Sequence, residues 1–577
     1  MPEIIIDDQK FTYDKPGKVL QFILDQGLDL PFFCYHPSLS IPANCRQCLV
    51  EIGTPVFDRA TNSFKVDENG NKVVQFFPKL MTSCSQDISD GMVVKTHATS
   101  EKVRRAQKDT LEFILVNHPL DCPICDQAGE CPLQIQTYKY GPEGSRFEFK
   151  KVHKPKRIQL GPRVVLDAER CINCTRCVRF SEEISKTNQL TITARGDKNY
   201  PTTAPGRTFD DAYSLNTVDL CPVGALTQSD FRFKARVWEM NQTPSIDVTN
   251  GKGTNVDLWV RDNLVLRVTP RFNPSVNDYW MPDSGREAYR LFNENRISRP
   301  EIKLDTELIK TSWNNAKETL AEILEAHSPK DVFVLGSGYA SVEENFAFKT
   351  FFANAGITNS AFVPHVISGS GDGFLLTDDQ APNAKGCELV GLESLSEKSL
   401  SSSIKKATVI VVLSEDIIGR GLVSSADLEG KTLVYFGTNK TETAKAAQLI
   451  IPVTCIAEHA ASYVNAEGRI QRSMPAKETM YTNRSLHPEM NAGRLDRFGT
   501  KFDNWRSDNN RVDAYPVWEF LSQLAPRLNQ SVNWSDSSNL FDEIASIIPA
   551  FDGITYDRMD LEKGVVIQAA ETEAKTI

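Results

Sequence analysis

Twelve side chains in the first 221 residues are of types, and at spacings, that bind metals. The tightest run is Cys171, Cys174 and Cys177, joined far downstream by Cys221-Pro222, a C-x2-C-x2-C…C-P pattern. Thiolates so spaced cap three irons of one cube from a single turn of chain, and a distant cysteine closes the fourth corner. Only one copy of the pattern is present, so Cys221 is expected to complete the same 4Fe-4S cluster as Cys171, Cys174 and Cys177. A second set, His118, Cys122, Cys125 and Cys131, is H-x3-C-x2-C-x5-C. Its imidazole would supply the ligand that three cysteines lack, and spacing alone leaves zinc and an iron-sulfur cube open. A third set, Cys34, Cys45, Cys48 and Cys84, is C-x10-C-x2-C-x35-C, which has the outline of a 2Fe-2S site, with four-cysteine zinc as the plainer alternative. Three such sets in succession favour one-electron relay, because a series of structural zincs serves no evident purpose. Such chemistry needs no general base, nucleophile or phosphate loop.

The elements that must position these ligands are also legible. Ahead of Cys34, the strand-like runs Glu3–Asp7 and Lys10–Tyr13 and a helical stretch Lys18–Asp25, closed by Gly27, resemble the β-grasp frame of ferredoxins. The Cys45–Cys48 loop runs directly into an apolar strand. An amphipathic helix from Ser100 to Val116, with Val103, Ala106, Leu111, Ile114 and Leu115 on one side, leads to His118. The basic run Lys150–Arg157 is short and lacks interleaved aromatics, so it reads as a solvated or partner-facing linker. From Ser328 onward the signals are α/β: a strand at Asp331–Leu335, a helix from Val342 to Ala355, and buried strands at Ala407–Leu413 and Lys431–Gly437. Gly336-Ser337-Gly338 lacks the third glycine of a dinucleotide loop, so phosphate binding is not expected there. Cys387 and Cys455 have no paired ligand in sequence and are expected to be core residues.

The whole chain bounds this reading. Of 13 cysteines in 577 residues, eleven lie between Cys34 and Cys221, so the ligand chemistry is confined to the first part and the rest is ordinary domain space. A net charge of −10 disfavours nucleic acid as a partner. No run of 18 apolar residues exists to span a membrane, and the first residues lack the features of a secretory or transit segment. The chain is thus expected to stay in a reducing compartment, where tight CxxC pairs are metal ligands or redox groups rather than disulfides.

The succession of the three sets closely resembles the large iron-sulfur subunit of respiratory complex I, the NADH:quinone oxidoreductase (the 75 kDa-type, or G, subunit). That resemblance implies one 2Fe-2S cluster on Cys34, Cys45, Cys48 and Cys84, a 4Fe-4S cluster on His118, Cys122, Cys125 and Cys131, and a second 4Fe-4S cluster on Cys171, Cys174, Cys177 and Cys221. Asn465–Gln471 and Leu449–Val453 extend it into a body similar to molybdopterin oxidoreductases in degenerate form. The implied fold class is multidomain α+β and α/β: a β-grasp 2Fe-2S ferredoxin-like domain over 1–95, a histidine-ligated 4Fe-4S domain over 96–140, an all-cysteine 4Fe-4S domain over 141–240, a clusterless remnant over 241–300, and the degenerate α/β body over 301–577. Some members hold a further cluster where this sequence has Asp247, Asn250 and Thr254, so no fourth cluster and no molybdopterin are expected. The chain is also short for the family. The implied role is electron relay from an NADH-oxidising FMN subunit, through this chain, to a ferredoxin-like 4Fe-4S subunit and on towards quinone, with other peripheral-arm subunits as partners. The implied place is the cytoplasmic side of a bacterial membrane, without a span of its own. Two alternatives stand beside it: the electron-transfer chain of an NAD-linked hydrogenase or formate dehydrogenase, and a zinc-stabilised scaffold. Against the first, no cysteines are left for an iron-only hydrogenase cluster, and no molybdenum ligand is evident.

Overall fold

A computed structural model describes residues 1–481 and 510–567 apart from Asn69, Asn71, Thr306 and Asn533; parts of the expected 301–577 segment therefore lie outside the described residues. The chain divides into two compact units, Met1–Trp238 and Glu239–Ile577. The content is mixed α and β in both.

In the first unit the alternating run Glu3–Ile6 buries Ile4 and Ile6 completely and forms the strand that organises a mixed sheet. It pairs antiparallel with Gln9–Thr12 and parallel with Met92–Lys95. The strand Leu49–Pro55, leaving the Cys45–Cys48 loop, lies antiparallel to Met92–Lys95 and also pairs with Met81–Thr82, just ahead of Cys84. The helix Val19–Asp25 lays Val19, Leu20 and Ile23 into the same core, which also takes in Cys48 and Cys84. The sheet thereby holds two far-separated cysteines at one end.

The helix Glu101–Leu115 starts where expected, with Ser100 accepting from the backbone N–H of Val103. Its buried face differs from the apolar pattern, however: Val103, Gln107 and Leu111 are buried, while Ala106, Ile114 and Leu115 are only partly so. A buried amide is tolerated when it is hydrogen-bonded. Gln107 Nε2 donates to the carbonyl of Leu49 (3.1 Å), and Gln47 Nε2 donates to the carbonyl of Gln107 (3.2 Å), tying this helix to the Cys45–Cys48 loop. The basic run Lys150–Arg157 has no helix or strand and is largely exposed, as a solvated linker is, but Lys151 and Lys156 are engaged. Lys151 Nζ donates to the carbonyls of Leu115 (2.9 Å) and Val116 (2.8 Å), which a helix end leaves without partners, and Lys156 sits among Asp121, Asp167 and Glu169.

The second unit opens with a three-stranded antiparallel sheet, Asn241–Ile246, Asn255–Arg261 and Leu264–Pro270. Its centre is an eight-stranded sheet in the order Glu307–Lys310, Glu301–Leu304, Leu449–Pro452, Thr432–Gly437, Val409–Leu413, Val332–Leu335, Ser360–Phe362 and Glu393–Ser394, of which the last six are mutually parallel. Parallel strands covered on both faces must be apolar throughout. Val409, Val411 and Leu413 accordingly enter one core, with Val334 and Phe436, while Ile410 and Val412 enter the other, with Phe333 and Tyr435. Each such fully buried aliphatic side chain contributes roughly 1.5–3 kcal/mol. The glycines of Gly336-Ser337-Gly338 are packed rather than open: a Cβ on Gly336 would stand 2.6 Å from Leu392 Cδ1, and one on Gly338 would stand 2.8 Å from Ala381 Cβ. The Ser337 N–H donates to Asn345 Oδ1 (3.1 Å).

Candidate metal centres

Cys34, Cys45, Cys48 and Cys84 gather beside the mixed sheet, Cys34 and Cys84 each interacting electrostatically with the other three. The Cys34 N–H donates to Cys45 Sγ (3.5 Å). The neighbouring thiols of Cys45 and Cys84 hold Cys34 and Cys48, respectively, below the ordinary thiol range. Both Ser83 N (3.1 Å) and Ser83 Oγ (2.8 Å) donate to the Cys48 carbonyl, bringing the short turn Ser83–Ser85 and its Cys84 to the loop. Ala43 (φ 51°) and Arg46 (φ 57°) occupy the left-handed region in that loop, a conformation non-glycine residues adopt at a cost where a site requires it.

Cys171, Cys174, Cys177 and Cys221 line a single cavity whose remaining walls include Ile172, Val223 and Leu226. The loop again turns through left-handed residues, Asn173 (φ 55°) and Thr175 (φ 63°), before entering the helix Arg176–Glu183. Burial pushes the Cys171 thiol up to about 11 and Cys221 up to about 12, and the other thiols of the set push in the same direction. Four buried thiols that disfavour one another's thiolates are a poor arrangement by themselves; a cationic metal core held by them would outweigh those effects and favour the thiolates.

Cys122, Cys125 and Cys131 also interact electrostatically with one another. Cys122 is exposed on the one-turn helix Cys122–Ile124, and Cys131 caps the helix Pro132–Tyr140. His118 follows the end of the helix Glu101–Leu115, its N–H donating to Leu115 O (3.2 Å). Burial, and then the charges of Lys151 and Arg170, lower the His118 imidazole to about 4, so it is neutral as a ligand must be. Its Nδ1 is buried without a hydrogen-bond partner among the described residues, which leaves that ring nitrogen able to serve a metal. His118 and Cys125 share the field of the buried Arg170, which Asp121 holds through Nε (3.0 Å) and Nη2 (2.9 Å). Among the described residues no three His, Cys, Asp or Glu side chains surround one point closely enough to hold a single metal ion.

Four residues that ligand spacing does not reveal knit the sets together. Gly224, three residues past Cys221, lies against Cys125, where a Cβ would stand 2.2 Å from Sγ. Cys131 Sγ donates to the carbonyl of Pro222 (3.7 Å), so the Cys221–Gly224 loop serves both four-iron candidate sites. Arg176 and Arg179 link the Cys34 loop to the Cys174 loop, and Arg170 donates to the Gly224 carbonyl (3.4 Å). All four lie in or beside the Cys171–Cys177 and Cys221-Pro-Val-Gly runs, but their partners are distant in sequence.

Family models match in the same order as the sites. A 2Fe-2S iron-sulfur cluster binding domain matches residues 3–99, the NADH-ubiquinone oxidoreductase-G iron-sulfur binding region 107–146, the ferredoxin-like domain of NADH-quinone oxidoreductase subunit 3 161–227, and the NADH-ubiquinone oxidoreductase NDSU1/NuoG-like 4Fe-4S domain 240–290. The chain is 36% identical over 360 residues to the G subunit of NADH-quinone oxidoreductase from Rickettsia bellii (strain RML369-C), covering 62% of this chain and 49% of that one. Over these residues the chain is similar to the G subunit of NADH-quinone oxidoreductase. The G subunit of Rickettsia conorii (strain ATCC VR-613 / Malish 7) is 35% identical over 360 residues, covering 62% of this chain and 50% of that one. The protein thus spans about half the length of the curated relatives it matches. A crystal structure of an NAD+-reducing NiFe-hydrogenase in the H2-reduced state aligns at 27% identity with a TM-score of 0.33, covering 41% of this chain and 91% of that one.

The stretch matched to the NuoG-like 4Fe-4S domain at 240–290 contains no cysteine. Asp247, Asn250 and Thr254 are all buried there, and Asp247 accepts from Thr249 N (2.8 Å), Thr249 Oγ1 (2.8 Å) and Asn250 Nδ2 (3.3 Å). Cys387 is fully buried and its thiol donates to the Ser337 carbonyl (3.3 Å). Cys455 is buried too, yet it is not a plain apolar filler: Arg296 Nη1 donates to its Sγ (3.4 Å) while the same guanidinium pairs with Glu458 at 2.7 and 2.6 Å.

Proposed function

We propose that this chain is the iron-sulfur relay of the peripheral arm of an NADH:quinone oxidoreductase, standing between an NADH-oxidising FMN subunit and a ferredoxin-like 4Fe-4S subunit. Cys34, Cys45, Cys48 and Cys84 would hold a 2Fe-2S cluster; His118, Cys122, Cys125 and Cys131 a 4Fe-4S cluster; Cys171, Cys174, Cys177 and Cys221 a second 4Fe-4S cluster. Bound there, the clusters supply one-electron storage and transfer. The observation that carries the reading is the Cys221–Gly224 loop, which places one end on the all-cysteine set and the other against Cys125. With the arginine links it supports a serial order: the Cys34 set, then the Cys171 set, then the His118 set. Leu120, Cys122 and Ile124, exposed together on the last of these, suit the face from which a partner takes electrons.

We assign the mixed sheet of 1–95 to a β-grasp frame and the segments 96–140, 141–240 and 241–300 as above, with no fourth cluster where Asp247, Asn250 and Thr254 replace thiolates. The 301–577 body is read as a degenerate molybdopterin-oxidoreductase-like scaffold without molybdopterin, supported by its doubly covered parallel sheet and its packed glycine loop. Among the described residues no helix is long and apolar enough to cross a membrane. We place the chain on the cytoplasmic side of a bacterial membrane, held there by its partners. Electron paramagnetic resonance of the full chain, purified anaerobically and reduced with dithionite, tests the reading: one 2Fe-2S and two distinguishable 4Fe-4S signals are expected, and a chain carrying zinc and no iron signals contradicts it.

A further inference from the structure

Two arginines of the helix Arg176–Glu183 occupy the ground between the Cys34 and Cys171 sets. Arg179, 7% exposed, donates through Nη2 to the carbonyls of Cys34 (2.6 Å) and Cys174 (3.3 Å), through Nη1 to that of Ser40, and through Nε to Thr175 Oγ1 (3.3 Å). Arg176, one turn earlier, donates to the carbonyls of Tyr35 (2.5 Å) and Leu220 (3.2 Å), next to Cys34 and Cys221 respectively. Every one of these acceptors is neutral, and no carboxylate among the described residues pairs with either guanidinium. A cation taken out of water without a counter-ion is costly unless something negative stands nearby. The groups that would carry negative charge here, as thiolate ligands of a bound cluster, are the cysteine sulfurs: Arg176 acts on Cys34, Cys174 and Cys221, and Arg179 on Cys34 and Cys174.

We propose that Arg176 and Arg179 are positioning residues shared by the two sets, fixing the Cys34 and Cys174 loops at one separation and supplying the counter-charge that both four-thiolate sites need. The inference rests on the electron-relay reading above. A fixed positive charge favours the more negative, reduced form of each site, so the pair raises both reduction potentials together. It leaves the His118 set, which has its own Arg170, largely untouched. Arginine suits the task because its planar fork reaches several carbonyls at once and cannot lose its proton.

The test is a potentiometric titration of the full chain, followed by electron paramagnetic resonance, for wild type, Arg179→Gln and Arg179→Lys. Arg179→Gln is expected to lower the potentials of the 2Fe-2S site and the all-cysteine site by about tenfold in reduction equilibrium, about 59 mV for one electron. The His118 site should move much less. Arg179→Lys is expected to restore most of the shift, which a purely structural loss would not allow. Unmoved potentials in Arg179→Gln, or equal shifts in Arg179→Gln and Arg179→Lys, overturn the proposal. If Arg179→Gln does not load clusters, Arg176→Gln in the same titration decides by the same criterion. Absent iron-sulfur signals in wild type would instead overturn the relay reading itself, and this proposal with it.

Discussion

Gly224 stands against Cys125 so closely that a Cβ would lie 2.2 Å from the cysteine sulfur. Gly224 belongs to the loop of Cys221, and Cys125 belongs to the other four-iron candidate set, so this contact joins the loops of the two sets. Gly224→Ala is therefore expected to displace Cys125 and empty the His118 set, with a loss of about four irons and one 4Fe-4S signal while the 2Fe-2S signal persists. Overpacking of this kind costs roughly 1–3 kcal/mol, readable as a lowered melting temperature. An unchanged iron count would show that the loop has room to move.

In the proposed ligand sets His118 is the one non-cysteine member. His118→Ala should abolish or reshape one 4Fe-4S signal and spare the 2Fe-2S signal. His118→Cys should retain a cube whose potential falls, because a thiolate adds a negative charge that a neutral imidazole lacks. Two unaltered cube signals in His118→Ala would remove the histidine from the ligand set.

The buried Arg296–Glu458 pair offers a test of the scaffold. Arg296→Met leaves Glu458 charged in the core with Lys477, 3.9 Å away, as its remaining counter-charge among the described residues. Breaking such a pair from one side costs about 3–5 kcal/mol. Thermal or denaturant unfolding should show the loss, with the iron count of the purified, folded fraction unchanged.

Cys387 and Cys455 stand outside the proposed ligand sets. The double variant Cys387→Ala/Cys455→Ala should bind as much iron as wild type, measured by elemental analysis, with a modest fall in stability from the vacated core space. A fall in iron would bring one of them into the ligand inventory.

Much of this was legible in sequence because it depends on local period and spacing. The strand at Val332–Leu335, the helix Val342–Asn354 and the strands Val409–Leu413 and Thr432–Gly437 fall where apolar runs and turn residues place them. The frame ahead of Cys34 does so too. What escaped depends on partners far along the chain. The Arg179–Cys34 hydrogen bond spans 145 positions, so nothing near Arg179 marks it as a link between sites. Gln107 was hidden because a polar residue reads as solvent-facing until the carbonyl of Leu49 is seen to need it. Lys151 was hidden because composition does not reveal that a helix end beside it lacks donors.

The most direct measurement is an inventory of iron, labile sulfide and zinc in the anaerobically purified full chain. The three sets require about ten irons and as many sulfides per chain, two of each at the Cys34 set and four at each of the others, with little zinc. About three zincs with no labile sulfide would contradict the account at its root.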